Sequence, residues 1–398
     1  MNLTLLFSLL TFLGISQLWI GKKSQSQDHD DYFLMGRRLG LFSLVMTLLA
    51  TQIGGGMLLG AAEEAYRYGF GALFYPLGMV VGMVILGCGF GAKFRKLELS
   101  TIAEVFEKVY GSTRLRKIAS LLSIVSLFFI LAAQAIAARK FFISIGFETH
   151  LLFVATWAIL VIYTAFGGLK AVVRTDILQA SFIIASFGIA SFGRRPEFTP
   201  FVGESVPWAT WLFVPLAFML IEQDMGQRCF AAKSPKTVTF ASFIAAGALL
   251  LISLFPITVG VAARSAGLEI PQGGSVLIFA IAAFTNPTIL TILVAAILMA
   301  IVSTSDSLLS AISSNLACDF LSKGSLLSCR LLTLAIGMGT LVFSFFFDNV
   351  VRMLMFAYEL SVYVLLIPVL MALLFKRPSK KIAIAAMVVG GLWKLWLR

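Results

Sequence analysis

The chain has 398 residues, of which 59% are hydrophobic and 13% charged, and its mean hydropathy is +0.97. A composition so apolar excludes a soluble domain of this length, and the lack of alternating ten-residue segments excludes a barrel, which leaves an all-α polytopic membrane protein. The net charge of +12 then reads as the basic punctuation of short loops on one face of a bilayer, with no nucleic-acid partner implied.

Hydropathy set against that punctuation predicts about twelve spans: 2–20, 41–63, 70–92, 116–142, 150–167, 176–193, 207–223, 237–263, 288–314, 329–347, 350–375 and 381–397. Each lies near the roughly 20 residues that a helix needs to cross hydrocarbon. The first has no basic leader, and Lys22 and Lys23 follow it where a small-residue cleavage site would stand, so it reads as a retained helix. With the N-terminus outside, the inner face receives Lys22, Lys23, Arg37, Arg38, Lys93, Arg95, Lys96, Arg114, Arg116, Lys117, Lys170, Arg174 and Arg228, among others. The outer ends keep few basic residues, among them Arg67, Arg139, Lys140, Arg194, Arg195 and Arg398. The positive-inside rule therefore puts both termini outside a multi-pass protein of the cell's inner (plasma) membrane.

Polar clusters inside these spans carry the functional signal, because buried polar groups in lipid need protein, water or an ion as partner. In the second span, "LLATQIGGGMLLGAAEEAYRYGFG" places Gly54, Gly55 and Gly56 in succession, which either permits a helix crossing or breaks the helix and frees carbonyls near Ala50 and Ile53. In "TAFGGLKAVVRTDILQA", residues 164–180, Asp176 opens the sixth span, as an N-terminal cap or as an ion ligand. The seventh span holds Pro215 in its middle, with Glu222, Asp224 and Gly226 near its inner end, and reads as broken. The 264–287 loop contains "SVLIFAIAAF", a short apolar piece that is re-entrant or lies on the outer surface.

The ninth span contains "IVSTSDSLLSAISSN". Ala300, Ser303, Thr304 and Ser307 fall at i, i+3, i+4 and i+7, so they share one helical face. Hydroxyls alone would suit close helix packing, but Asp306 adds a carboxylate whose insertion costs about 2.5–3.5 kcal/mol unless it is paired or solvated. A cation would pair it. Four cysteines without paired spacing and the two loop histidines, His29 and His150, give neither a metal cluster nor a nucleophile triad, so no enzyme is expected.

In order along the chain, "DYFLMGRRLG", "GGLKAVVRTDILQ", "QRCFAAKSP" and "VSTSDSLLSAISSNLACDF" resemble the sodium:solute symporter family over residues 31–375. That family includes proline, sugar, sialic acid, pantothenate and choline transporters. The resemblance implies a LeuT-like 5+5 inverted-repeat core with discontinuous core helices 1 and 6. Residues 1–40 would then be a leading helix and linker, 41–193 the first repeat, 194–375 the second and 376–398 a trailing helix. It further implies a sodium site of five neutral oxygens, namely carbonyls of Ala50, Ile53 and Ala300 and hydroxyls of Ser303 and Thr304. Some members hold a second sodium, for which Asp176, Asp306 and Ser307 are the candidates here; Asp306 stands where that site has a serine, so it either strengthens the ion or carries a proton instead. Candidate solute-lining residues are Gln52, Gly56, Met57, Gln134, Phe218, Glu222, Tyr358 and Glu359, with no aromatic box evident in core helix 6 and no buried arginine at the midplane.

The expected function is sodium-coupled import of a small organic solute (amino acid, choline-like, pantothenate-like or carboxylate) by alternating access, with sodium as coupling ion and no other cofactor. A non-transporting sensor built on the same fold and a proton-coupled transporter are the alternatives.

Overall fold

Hydrocarbon offers backbone N–H and C=O groups no partner, so a chain this apolar satisfies them within helices. In the computed structural model the described residues are 1–24, 29–147, 149–191, 205–321 and 325–396, and among them only a single isolated bridge departs from helix, turn and coil. Arg194, Arg195, Arg398 and the expected repeat boundary at 193 and 194 lie outside them. The helices run α1 (Leu3–Lys23), α2 (His29–Leu34), α3 (Leu41–Gln52), α4 (Ala61–Tyr68), α5 (Phe74–Ile85), α6 (Gly91–Leu97), α7 (Glu104–Tyr110), α8 (Thr113–Ser144) and α9 (Leu151–Ser191). The second half comprises α10 (Trp208–Met219), α11 (Gln223–Ala231), α12 (Pro235–Ser265), α13 (Val276–Phe284), α14 (Pro287–Asp319), α15 (Leu326–Phe343), α16 (Val350–Leu374) and α17 (Lys380–Trp396). Ser112, Ser234, Asn286 and Asn349 cap α8, α12, α14 and α16 by accepting from a first-turn N–H, and Pro235 and Pro287 take the first helical position, where no amide partner is needed.

Eight helical stretches among the described residues are long and apolar enough to cross a membrane. The sequence-based total of about twelve is not reproduced by that number, for two physical reasons. Leu151–Ala190 forms one stretch of 40 residues, about 60 Å of helix against a hydrocarbon thickness of about 30 Å. It is kinked at Gly168, whose φ of 56° and ψ of −157° leave helical geometry where a Cβ would lie 2.5 Å from the Tyr32 carbonyl oxygen. Conversely, α3, α10 and α11, at 12, 12 and 9 residues, are each too short to span alone.

Those short helices mark two interruptions at corresponding places in the two halves. The first runs from Gln52 to a wide π turn at Gly56–Gly60, with Ile53 leaving helical geometry at ψ 77°. The second lies between Met219 and Gln223, later than Pro215, which stays helical. The segment before α3 meets the end of α11: Leu39 N–H donates to the Ala231 carbonyl at 3.0 Å and Lys233 N–H to the Leu39 carbonyl at 2.8 Å. The apolar piece of the 264–287 loop forms α13, which buries Val276, Leu277 and Ile281 and packs on α4, α8, α12 and α14.

α14 is the central element. Of its most apolar stretch 83% is buried, against 17% for α1, because α3, α8, α9 and α15 surround it. Its face of small and hydroxylated residues therefore meets protein on every side, where hydroxyls find partners and backbones can approach closely.

Candidate ion and solute site

At the break of α3, the side chains of α14 reach the backbone of the opposite half. Ser303 Oγ lies 2.9 Å from the Ala50 carbonyl oxygen and 3.0 Å from that of Ala300, and Thr304 Oγ1 lies 3.2 Å from the Ala50 oxygen. Four of the five oxygens inferred from sequence thus converge, and Ile53 caps the same helix end. All five residues are buried. The glycines make the approach possible: a Cβ on Gly54 would meet Thr304 Oγ1 at 2.6 Å, and one on Gly55 would meet Ala137 Cβ at 2.4 Å. Gln134 of α8 then holds the unwound segment, its Oε1 accepting from Gly55 N–H at 2.7 Å.

Beside this cluster lies a cavity lined by Gln52, Met57, Tyr75, Gln134, Glu222 and Tyr358, together with Thr51, Gly54 and Thr304. Its walls close to about 20 Å³, room for about one water molecule. Glu222 caps α11 and accepts from Gln52 Nε2 at 3.4 Å, and no basic side chain is among the lining residues. Tyr75 and Tyr358 hydroxyls lie 3.4 Å apart, and Phe218 stacks on Tyr358 with ring centroids 4.4 Å apart. The aromatic lining is therefore supplied by Tyr75 of α5 and Tyr358 of α16, with Phe218 of α10 stacked on Tyr358, which explains why no box was legible within core helix 6. Tyr75 was missed because nothing in α5 distinguishes it until the fold closes.

Three sequence-predicted lining residues are not among those that line the cavity: Phe218 only backs Tyr358, and Glu359 and Gly56 fall elsewhere. Glu359, one residue from Tyr358 and so on another helical face, is paired with Lys394 of α17. Gly56 is walled off by Leu354, whose Cδ1 would lie 2.1 Å from a Cβ.

The second cluster departs further from expectation. Asp176 is fully buried about two turns beyond the Gly168 kink, so it caps nothing. Its Oδ2 accepts from Thr47 Oγ1 at 2.5 Å and faces the Arg228 guanidinium at 3.4 Å. Arg228 was counted from sequence with the inner-face charges. Instead its side chain is 0% exposed, donating to Thr47 Oγ1 (2.8 Å), Ser307 Oγ (2.5 Å) and the Asp224 carbonyl (3.0 Å). Asp306 lies alongside, accepting from the hydroxyls of Tyr163 and, at 3.4 Å, Thr175.

Residues 32–194 match the model of the sodium:solute symporter family. The chain is 25% identical over 284 residues to the high-affinity choline transporter 1 of Drosophila melanogaster, an alignment covering 66% of this chain and 45% of that protein. It is 31% identical over 184 residues to the sodium/pantothenate symporter of Escherichia coli (strain K12), covering 44% of this chain and 38% of that protein. The chain thus spans less than half the length of these curated relatives, which are transporters and not enzymes. In fold it is similar to a Na+-coupled sialic acid symporter in a substrate-bound outward-open state, with a TM-score of 0.72 at 17% identity over 98% of this chain and 95% of that one. A nucleobase-cation-symport-1 family transporter in a closed conformation with bromovinylhydantoin bound gives 0.65 at 15% identity, over 94% and 93%. The chain is a multi-pass membrane protein whose broken-helix, inverted-repeat fold is similar to that of these solved symporters, and its residues 32–194 match the sodium:solute symporter family model.

Proposed function

We propose that the chain is a sodium-coupled symporter that imports a small organic solute by alternating access. The observation that carries this reading is the convergence of the Ser303 and Thr304 hydroxyls with the Ala50 and Ala300 carbonyls at the α3 break, against the cavity. A small hard cation suits neutral oxygens. In this reading the two hydroxyls turn their protons away and present lone pairs to sodium, with the Ile53 carbonyl as fifth ligand. No fixed charge holds the ion there, so release requires only that α3 and α14 separate. The two repeats are taken as α3–α9 and α10–α16, rocking about this site, in a plasma-membrane protein with its N-terminus outside.

The cavity favours a solute with a positively charged or hydrogen-bond-donating head. Glu222 supplies a carboxylate, Tyr75 and Tyr358 supply ring faces, and the lining lacks a basic side chain that could bind a carboxylate. Choline-like solutes therefore suit the wall better than pantothenate-like or other carboxylates, in keeping with the choline transporters among its relatives. The cavity has to widen to admit any of them, which the paired breaks allow.

The test is thermal stability of the purified chain in sodium against potassium, with a panel of amino acids, organic cations and carboxylates. Sodium is expected to raise the midpoint alone and to strengthen the effect of one organic cation, since coupled ligands raise each other's affinity. A panel response that is the same in potassium as in sodium contradicts the reading.

A further inference from the structure

Of the three residues that the resemblance offers for a second sodium, Asp176 and Ser307 both contact the Arg228 guanidinium. We propose that the Arg228 guanidinium is a built-in cation in place of that second sodium, so that the chain binds and carries one sodium ion per cycle instead of two. This rests on the symport reading for its consequence in transport, but the ion count is a property of the folded chain alone.

The argument starts from donor chemistry. Thr47 Oγ1, Ser307 Oγ, the Asp224 carbonyl and Asp176 Oδ2 lie 2.8, 2.5, 3.0 and 3.4 Å from guanidinium nitrogens. Four oxygens, one of them a carboxylate, contributed by four different helices, make a cage fit for a monovalent cation. Here every one of those oxygens faces the same planar group. A guanidinium keeps its charge at any pH the protein meets, and as a side chain it cannot leave with the solute. Sodium would have to displace it into surroundings that are fully buried, since the Arg228 side chain is 0% exposed. Leaving an ionised arginine buried without its carboxylate is disfavoured far more strongly than leaving the position to arginine.

The same contacts place Arg228 mechanically. It sits on α11, the second half of a broken helix, while its partners sit on α3, α9 and α14, so one fixed charge holds together the elements that a coupling ion would otherwise tie.

Equilibrium binding of radioactive sodium to the purified chain, at constant ionic strength with potassium chloride, decides the matter. The wild type is expected to bind one sodium per chain, and Ser303→Ala to bind it about 10- to 100-fold more weakly. Arg228→Gln is expected to gain an additional sodium, which Asp176→Asn in the same chain removes again. Two sodium ions on the wild type, or no gain in folded Arg228→Gln, would overturn the proposal. Where Arg228→Gln does not fold, Ser307→Ala serves, because it strips a cage oxygen and keeps the arginine–aspartate pair: an unchanged sodium count and affinity supports the proposal, and loss of an ion overturns it. A wild type that binds no sodium contradicts the symport reading, whereas the Asp176-dependent gain in Arg228→Gln still tests the arginine.

Discussion

Ser303 and Thr304 are each expected to contribute one neutral ligand to an ion with no formal charge in contact. Removing either hydroxyl leaves the fold intact, since a buried serine or threonine on a face of small residues shrinks without exposing a charge. Sodium affinity in Ser303→Ala and Thr304→Ala should fall about 10- to 100-fold, the equivalent of one charge-assisted contact, while expression stays near wild type. Sodium affinity unchanged in both variants would remove these residues from the site. Asp176 behaves differently. As the carboxylate of a fully buried pair, it cannot be neutralised without stranding Arg228, so Asp176→Asn should cost about 3–5 kcal/mol of stability, well above the roughly 1 kcal/mol of a lost helix cap. A thermal midpoint close to wild type would show that the pair is not formed. These two cases also show what a sequence displays at this scale. Three- and four-residue spacing puts Ser303 and Thr304 on one polar face, while the sodium role proposed for them came from the family resemblance. Arg228 was not legible, because hydropathy treats an arginine just past an apolar span as a loop charge, and only the interrupted helix carries it back into the interior.

At the scale of elements, the interruptions are legible where glycine concentrates and obscure where it does not. Three successive glycines announced the α3 break, but nothing comparable marks the one after Met219, and Pro215 drew attention a turn too early. The close approach at the first break is testable. A Cβ on Gly55 would stand 2.4 Å from Ala137 Cβ and 3.2 Å from Gln134 Oε1, so Gly55→Ala should cost about 1–3 kcal/mol by overpacking and displace the unwound segment. Full stability together with wild-type sodium response would mean that the segment has slack that these distances do not suggest. A second junction joins α7, α8 and α14, where Arg116 binds Glu104 at 3.0 Å, Glu107 at 2.6 Å and the enclosed Asp319 at 2.7 Å. Asp319 keeps hydroxyl contacts with Thr101 and Ser120 but would lose its only ion-pair partner among the described residues in Arg116→Ala. A loss of about 3 kcal/mol or more is expected. Chemical denaturation or thermal midpoint measures it, and a neutral outcome would place this junction among weak surface pairs.

For the whole molecule, the central claim is coupling: one ion site and one solute cavity, adjacent at paired helix breaks and reached by rocking two halves past α14. Composition and charge revealed a membrane-embedded helical bundle, and the order of four motifs revealed its relatives, because those features are local in the chain. The cavity wall was only partly legible: Tyr358 was named from sequence, whereas Tyr75, on a helix distant in sequence, meets it only in the fold. Thermal stability establishes whether ion and solute bind; it does not establish whether one drives the other. The direct measurement is accumulation of a radiolabelled organic cation, chosen by the stability panel, in proteoliposomes of the purified chain under an inward sodium gradient. Accumulation above the external concentration is expected, collapsing when the gradient is dissipated by a sodium ionophore and absent in Ser303→Ala. Uptake that proceeds equally with potassium in place of sodium, or that never exceeds equilibration, would contradict it.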